Sequence, residues 1–202
     1  MFFARPVAHV VIQEASTTQQ KPMAINLEKG QSLEIGLKKV GIQLSWDAAE
    51  TGQEFDLDAS AFMLGKNKKL PDDSLLVFYN NERSGDGAVE SSGDDTSGDD
   101  DGETLTVDFS RVDNRVNEIL IVVTIHDCEV RKQTFGQVRN SKIRIYDAIN
   151  SEDICQYELD EDFSTETALE FGTLVRKGRS WEFEAIGSGF EGGLEYLVSK
   201  YG

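Results

Sequence analysis

The sequence predicts an all-β protein, a two-sheet β-sandwich with a short C-terminal helix. Apolar and polar residues alternate with a period of two in many short segments, which is typical of half-buried strands. Helical periodicity is nearly confined to 192–202, and turn residues separate the other segments at short intervals. Because no strand–helix–strand rhythm is present, one sandwich domain is favoured over a parallel α/β sheet.

The alternation predicts the strands in chain order. It is clearest in QSLEIGL at 31–37 and in VGIQLSW at 40–46. The stretch EILIVVTIHD at 118–127 is apolar nearly throughout, which indicates a central strand covered on both faces. Residues 177–180 are typical of a hairpin turn. Further strands are predicted at 56–64, 74–80, 103–109, 142–148, 154–159, 168–177 and 181–187, one helical turn at 129–133, and the final helix within 192–202.

The composition excludes several classes of function. A net charge of −17 argues against nucleic acid as a partner and against electrostatic attachment to anionic lipid. A hydrophobic share of 39% with eleven Phe residues is too high for a disordered protein. Cys128 and Cys155 are the only cysteines. They leave one disulfide open as an alternative, but they do not form the framework of a small secreted domain.

The N-terminal residues 1–22 are expected to be a disordered extension, natural or added for expression. Their apolar patch is short and is interrupted by Arg5, Pro6 and His9, unlike the apolar region of a signal peptide. The folded domain is expected to span 23–202. No run reaches the ~20 apolar residues of a membrane-spanning helix, and the cytoplasm is the expected location.

The stretch SGDDTSGDDDGET at 92–104 concentrates carboxylates in one segment. Two carboxylates about 4 Å apart repel by roughly 1 kcal/mol in water, and by about 4 kcal/mol at an effective dielectric constant of 20. A compact arrangement therefore needs either open solvent or a cation. The pattern does not fit an EF-hand, because strand residues follow Gly102 and the first and twelfth ligand positions are wrong.

Other oxygen ligands occur at predicted strand ends. Asp56 and Asp58 are two residues apart in one strand, so their side chains project from the same face. Asp47 and Asp127 each end a strand, and Asn80 adds a neutral amide oxygen. Hard cations such as calcium take about 6–8 oxygen ligands, which converging strand ends can supply. A hard-cation site and a solvated acidic loop both remain open from these residues.

Enzymatic alternatives have weaker support in the sequence. A metal-dependent phosphohydrolase needs several histidines, whereas the chain has only His9 and His126. Cys128 lies two residues after His126, but no oxyanion-hole motif accompanies it. The glycine-rich segment 187–193 lacks the Lys and Ser or Thr of a phosphate-binding loop, so a tight turn is predicted there.

Several long blocks together resemble the TerD family of tellurium-resistance and stress proteins. They include QLSWDAAETGQEFDLDASAFMLGKNKKL, LLVFYNN, VVTIHDCEVRKQTFGQV and ALEFGTLVRKGRSWEFEAIGSGFEGGL, and the resemblance runs in order over about 23–202. It implies a two-sheet sandwich that binds calcium through clustered acids. It also implies a role in bacterial tellurite resistance and general stress, with no catalytic activity firmly attached to the family.

The family's motifs carry over residue by residue. Its D-x-D motif falls on Asp56 and Asp58, and its I-H-D motif ends at Asp127. Its G-D-N loop start falls on 93–95, where Asp95 departs from Asn, and Ser45 departs from the Gly of its G-W-D motif. With Asn80 added from the strand pattern, the predicted metal ligands are Asp47, Asp56, Asp58, Asn80, Asp94, Asp99, Asp101, Glu103 and Asp127.

The leading hypothesis is a non-catalytic, calcium-binding protein of the stress response. Its expected partners are calcium ions and other tellurium-resistance proteins at the inner membrane, with peripheral attachment of this chain there as an extension of the cytoplasmic location. The alternatives are a calcium-dependent module that docks to a membrane or partner and, less favoured, a metal-dependent hydrolase.

Overall fold

Two β-sheets account for most of the protein. A computed structural model describes residues 24–47, 55–92, 102–159 and 163–202. The strands formed by these residues are β1 Ile25–Leu27, β2 Ser32–Ile35, β3 Lys39–Asp47, β4 Leu57–Leu64, β5 Leu76–Val77, β6 Val89–Ser91, β7 Thr104–Asp108, β8 Glu118–Ile125, β9 Arg139–Asp147, β10 Asp153–Glu158, β11 Ala168–Lys177 and β12 Ser180–Phe190. The helices are α1 Cys128–Arg131 and α2 Gly193–Tyr201.

The first sheet has the order β1-β10-β9-β3-β7-β6, and the second has the order β2-β12-β11-β8-β4-β5. The strands pair antiparallel except for β1, which runs parallel to β10. The predicted fold class, an all-β two-sheet sandwich with a short C-terminal helix, is therefore confirmed.

The main core lies between the sheets and follows the period of two. Alternate residues of β3, such as Ile42 and Leu44, are almost fully buried in it. In β4 and β8 every residue is buried, because α2 covers the outer face of the second sheet. Phe62 and Val122 pack there in a second apolar cluster that includes Leu197 of α2. The prediction that 118–127 contains a central strand covered on both faces is thus correct.

The C-terminal helix is fixed to the second sheet by polar contacts as well as by packing. The Leu70 amide donates to the Tyr201 carbonyl at 2.7 Å. The Tyr201 hydroxyl donates to the buried carboxylate of Glu170, which Lys200 also contacts at 2.7 Å. None of the described helices is long and apolar enough to cross a membrane.

Several local predictions differ from the structure. The strand expected at 74–80 is a single 3-10 turn, Asp73–Leu75, followed by the two-residue strand β5. The turn forms because the side chain of Asp72 accepts the Ser74 amide and so caps it. The short strands β1 and β6 were not predicted. Cys128 and Cys155 are free and buried, so the disulfide that the sequence left open is not formed.

The two ends of the sandwich differ in chemistry. We call one end the acidic pole: the ends of β3, β5 and β8, the starts of β4 and β7, and α1 meet there. We call the other end the basic pole: it contains the β2–β3 link, the end of β7 and the β11–β12 hairpin. The described ligand candidates Asp47, Asp56, Asp58, Asn80, Glu103 and Asp127 all belong to strand ends at the acidic pole.

Candidate metal site at the acidic pole

The pairing of β4 with β8 positions Asp56 and Asp58 beside one segment of chain. Asp58 pairs with Thr124, and the Asp56 carbonyl accepts the amide of His126 at 2.9 Å. The chain then turns sharply, because Asp127 adopts a left-handed backbone conformation with φ of 51° before α1 begins. Asp is one of the few residues other than Gly that adopts this conformation readily.

Asp56 has one oxygen paired and one oxygen left over. Its Oδ2 atom lies 3.4 Å from Nη2 of Arg131 in α1. Its Oδ1 atom is buried and has no hydrogen-bond donor among the described residues. Buried carboxylate oxygens normally accept hydrogen bonds or contact a cation, because water no longer solvates them. The Oδ1 atom of Asp56 therefore lacks, among the described residues, the partner that a buried carboxylate oxygen normally has.

Asp58 is buried more deeply, with only 4% of the residue exposed. Its Oδ2 atom lies 3.5 Å from Nδ1 of His126, whose Nε2 atom lies 3.6 Å from Oδ2 of Asp127. The His126 ring also meets the ring of Tyr79 edge to face, with centroids 5.6 Å apart. The imidazole thus stands between a buried carboxylate and an exposed one.

Glu103 connects the two sheets. It precedes β7 of the first sheet and is 4% exposed, and its Oε2 atom accepts the amide of Ala59 in β4 of the second sheet. The Ala59 amide lies on the side of β4 that faces β5, beyond the point where β5 ends. The Glu103 carboxylate therefore caps a free sheet edge from the opposite sheet, and it lies directly after the acidic segment.

Gly102 makes this position of Glu103 possible. A Cβ atom at Gly102 would lie 2.1 Å from the carbonyl oxygen of Leu44, so only glycine allows the two backbones to approach this closely. The Leu44 amide donates to the Glu103 carbonyl at 2.8 Å, which continues the pairing of β3 and β7 by one residue.

The remaining candidates are less closely placed. Asp47 is exposed at the end of β3, where its carboxylate accepts the side-chain amide of Asn140. Asn80 is exposed in the turn that follows β5, next to Tyr79. Asp127 is exposed at the start of α1. Asp94, Asp99 and Asp101 lie outside the described residues, as does the predicted extension 1–22.

The described carboxylates do not form a closed cluster. In the described part of the chain, no three side chains of His, Cys, Asp or Glu are grouped closely enough to hold a metal ion. The donors present are nevertheless carboxylate oxygens, which suit a hard cation such as calcium. The buried Oδ1 atom of Asp56 also fits a cation, whereas Arg131 partly neutralises the same carboxylate.

A cavity of about 250 Å³ adjoins these acids. Asp58 and His126 lie on one side of it, and Glu195 near the start of α2 lies on the other. Tyr79 and Val130, which are 45% and 83% exposed, also border it. Arg131 and Tyr79 could not be predicted from the sequence, because their contacts with Asp56 and His126 join segments far apart in the chain.

Comparison with known proteins identifies the family. Residues 23–201 match the TerD domain. The chain belongs to the TerD family. Tellurium resistance protein TerD of Serratia marcescens is 44% identical over 188 residues, which cover 89% of this chain and 98% of the relative. General stress protein 16U of Bacillus subtilis (strain 168) is 41% identical over 189 residues, with the same coverage of 89% and 98%.

A solved protein structure has the same fold as this chain over most of its length. It is the crystal structure of a homologue of telluride resistance protein (TerD) from Streptomyces coelicolor A3(2), which is 21% identical. The match covers 81% of this chain and 96% of that one, with a TM-score of 0.65. The resemblance to the TerD family drawn from the sequence blocks is therefore confirmed.

Proposed function

We propose that this TerD-family protein binds calcium at the acidic pole and acts, without catalysis, in tellurite resistance and the general stress response. The names of its relatives support the biological setting. The buried Oδ1 atom of Asp56 carries the proposal of a bound ion, because it has no hydrogen-bond donor among the described residues. A buried anionic oxygen without a partner is costly, and a bound cation removes that cost.

The proposed ligands divide into a buried set and an outer set. The first set consists of the buried carboxylates of Asp58 and Glu103 and the half-buried carboxylate of Asp56. In the sequence, the acidic segment 93–101 is separated from Glu103 only by Gly102. The outer set comprises Asp47, Asn80, Asp94, Asp99, Asp101 and Asp127. Calcium suits such a set better than magnesium does, because it accepts a larger and less regular number of oxygen ligands.

The non-catalytic part of the proposal is supported by the geometry around Cys128, a cysteine at this pole. Cys128 lines the cavity two residues after His126. Within the described parts of the chain, no hydrogen bond joins the Cys128 thiol to the His126 imidazole, which contacts Asp58 and Asp127 instead. A thiol–imidazole pair for covalent catalysis needs the two groups within hydrogen-bond reach.

The test is calorimetric titration of chelator-treated protein with calcium, with magnesium as the comparison ion. We expect micromolar or tighter binding of calcium with a whole-number stoichiometry, and clearly weaker binding of magnesium. Asp58→Asn should weaken calcium binding about tenfold or more, because it removes a buried anionic ligand. Millimolar binding, or equal affinity for both ions, would contradict the proposal and return the segment 93–101 to a solvated acidic loop.

The matched control is Asp73→Asn, which removes the same charge from an exposed carboxylate outside the acidic pole. Equal losses in Asp58→Asn and Asp73→Asn would show that net charge, rather than coordination, controls the binding of calcium. Loss in the Asp58 variant alone would support coordination at the acidic pole.

A second candidate function is calcium-dependent docking to a membrane. The observation that favours it is the exposure of Tyr79 and Val130 beside the acidic cavity, because apolar side chains next to bound calcium can enter a bilayer while the ion contacts lipid phosphate. This docking would place the protein peripherally at the inner membrane, where other tellurium-resistance proteins are its predicted partners.

Sedimentation with vesicles of anionic phospholipid separates the two candidates. Docking predicts that the protein sediments with vesicles in calcium and stays in the supernatant with chelator. Val130→Ser should abolish sedimentation while leaving the calorimetric affinity for calcium unchanged, since Val130 is not a proposed ligand. A protein that binds calcium but never sediments would retain the first function and exclude the second.

A further inference from the structure

A second cavity lies at the basic pole, away from the candidate metal site. Its volume is about 550 Å³, within the range of small-molecule sites. The β2–β3 link, the end of β7 and the β11–β12 hairpin form its walls. Its apolar part is formed by Ile35, Leu37, Phe109 and Trp181. The two sheets therefore enclose an apolar recess at this end.

Three cationic side chains line the same cavity, and none of its lining residues is acidic. They are Lys38, Arg176 and Arg179. The protein as a whole has a net charge of −17, so a lining with three cations and no acidic residue differs from the rest of the sequence in the sign of its charge. None of the three forms an ion pair with a carboxylate in the described part of the chain. A ligand in this cavity therefore need not break an ion pair between these side chains and a described carboxylate.

Arg176 is held in place before any ligand binds. Its Nε atom donates to the carbonyl of Val116 at 3.0 Å, and its Nη2 atom donates to the carbonyl of Asp113 at 3.2 Å. Its guanidinium carbon lies 4.7 Å from the centre of the Trp181 ring, which stacks on Phe109 at 5.1 Å. Backbone carbonyls and an aromatic ring thus fix the cation. The nearby Asp113 carboxylate also attracts Arg176, but its ion pair is with Arg115.

One part of this guanidinium remains available. The Nη1 atom of Arg176 makes no hydrogen bond with any described residue, so its two N–H groups can serve a ligand. A fixed guanidinium binds carboxylate or phosphate oxygens with little further loss of side-chain entropy. Lys38 and Arg179 are exposed at the cavity and add mobile positive charge.

We propose that this cavity is a binding site for a small organic anion, with an apolar body against Leu37 and Phe109 and an anionic head group near Arg176, Arg179 and Lys38. Three cations in a lining that contains no acidic residue specify the charge, and the apolar walls specify the body. The site is independent of calcium, because it uses no residue of the acidic pole.

The experiment is calorimetric titration of the full chain in chelator with naphthyl phosphate, naphthoate, neutral naphthol and inorganic phosphate as probes. We expect naphthyl phosphate and naphthoate to bind, and naphthol and inorganic phosphate to bind at least about tenfold more weakly, because each of these lacks one half of the recognised chemistry. The indole N–H resonance of Trp181 should shift with the two anionic aromatic probes, which locates the binding.

The double variant K38A/R179A tests the charge, and K66A/K142A is its control. All four lysines and arginines are exposed, both variants lose the same charge, and neither Lys66 nor Lys142 lines the cavity. We expect K38A/R179A to lower the affinity for naphthyl phosphate about tenfold and the control variant to leave that affinity unchanged.

Several results would overturn the proposal. They are no binding of the aromatic anions up to roughly millimolar concentration, equal binding of naphthol, equal binding of inorganic phosphate, or equal losses in the two double variants. A Trp181 resonance that stays unshifted while heat is released would also overturn it, since binding would then lie elsewhere. Because chelator is present throughout, failure here leaves the calcium proposal untouched, and the reverse also holds.

Discussion

The two poles of the sandwich treat their charged side chains in opposite ways. At the basic pole, Asp86 accepts hydrogen bonds from the Ser84 hydroxyl at 2.6 Å, the Ala88 amide at 2.9 Å and the Asp113 amide at 2.8 Å. At the acidic pole, Asp56 has one long contact with Arg131 and a buried oxygen with no described donor. A carboxylate with a structural role accepts hydrogen bonds from its neighbours, as Asp86 does. A buried carboxylate oxygen without a donor, as in Asp56, is a candidate for contact with a ligand.

The cations show the complementary difference. Arg131 at the acidic pole faces a carboxylate, and Arg115 near the basic pole pairs with Asp113 at 2.7 Å. Arg176 instead is fixed by carbonyl oxygens and an aromatic ring, and it forms no ion pair with a carboxylate of the described residues. The carboxylates of Asp56, Asp58 and Glu103 therefore lie at one end of the domain, and the fixed guanidinium of Arg176 lies at the other. The two proposals place one ligand at each end.

The largest expected effect comes from Gly102→Ala. The new methyl group would meet the backbone oxygen of Leu44, so the start of β7 must shift and Glu103 must release the Ala59 amide. We expect a loss of about 3 kcal/mol in the free energy of unfolding, measured by denaturant titration, together with weaker calcium binding. Gly36→Ala is the control at the basic pole, where nothing lies within 4 Å of the added methyl group. An equal loss in both would remove the special role of the Gly102 contact.

Calcium itself gives the second effect. A ligand present at a hundredfold its dissociation constant stabilises the folded state by about 2.7 kcal/mol. For a domain of this size, that corresponds to a rise of about 5–10 °C in melting temperature. Thermal unfolding followed by circular dichroism should show this rise with calcium, and Asp58→Asn should lose about half of it or more, since its calcium affinity is expected to be at least about tenfold lower. A rise that persists unchanged in Asp58→Asn would place the ion away from the acidic pole.

The third prediction compares the replacement of one acidic residue at each pole, with the free energy of unfolding measured in the presence of chelator. Asp86→Ala should cost about 2 kcal/mol of unfolding free energy, because it leaves the donors of Ala88 and Asp113 unsatisfied. Asp56→Asn should cost no more than about 1 kcal/mol, since it loses only the exposed contact with Arg131. Calcium should then stabilise Asp86→Ala but not Asp56→Asn. Similar costs in chelator would abolish the distinction between structural and ligand-binding acids.

The smallest effect concerns acid titration near the basic pole. The hydrogen bond from the Arg115 side chain lowers the pKa of Asp113 from its ordinary value of 3.8 to about 2. Since the folded pKa lies below the unfolded one, the stabilisation is complete above about pH 4 and disappears as the pH falls through about 2. Arg115→Gln should raise the pKa of Asp113 towards 3.8, as NMR titration would show. An unchanged pKa would mean that Arg115 is not its cause.

The sequence predicted the long strands well and the short ones poorly. The long strands contain enough alternating or continuous apolar residues to be predicted from their own sequence, as in β3, β8 and β11. The predicted strand 168–177 agrees with β11 at both ends. β1 and β6 have three residues each, so their pairing with neighbours, rather than their own pattern, makes them strands. Capping by Asp72 turned part of the predicted strand at 74–80 into a 3-10 turn.

The sequence predicted which strand ends carry the candidate ligands but not the contacts of their side chains. The period of two predicted that Asp56 and Asp58 share a face, and the strand ends predicted that Asp127 lies near them; that these residues bind a metal stays a prediction. The contact of Glu103 with Ala59 joins residues in different sheets, and only the packing of the sheets brings them together. The same holds for the cavity beside Trp181, whose lining residues come from three separate turns. Neither arrangement leaves a pattern in the local sequence.

The bridge from Glu103 to β4 makes a single amide proton a reporter for the whole acidic pole. A hydrogen bond to a carboxylate moves an amide resonance more strongly than one to a carbonyl, because the acceptor is charged. The Ala59 resonance therefore reads the position of a side chain in the other sheet, at the residue where the acidic segment ends. A ligand that draws the Glu103 carboxylate towards that segment should shift the amide resonance of Ala59, even where the backbone of the strands stays in place.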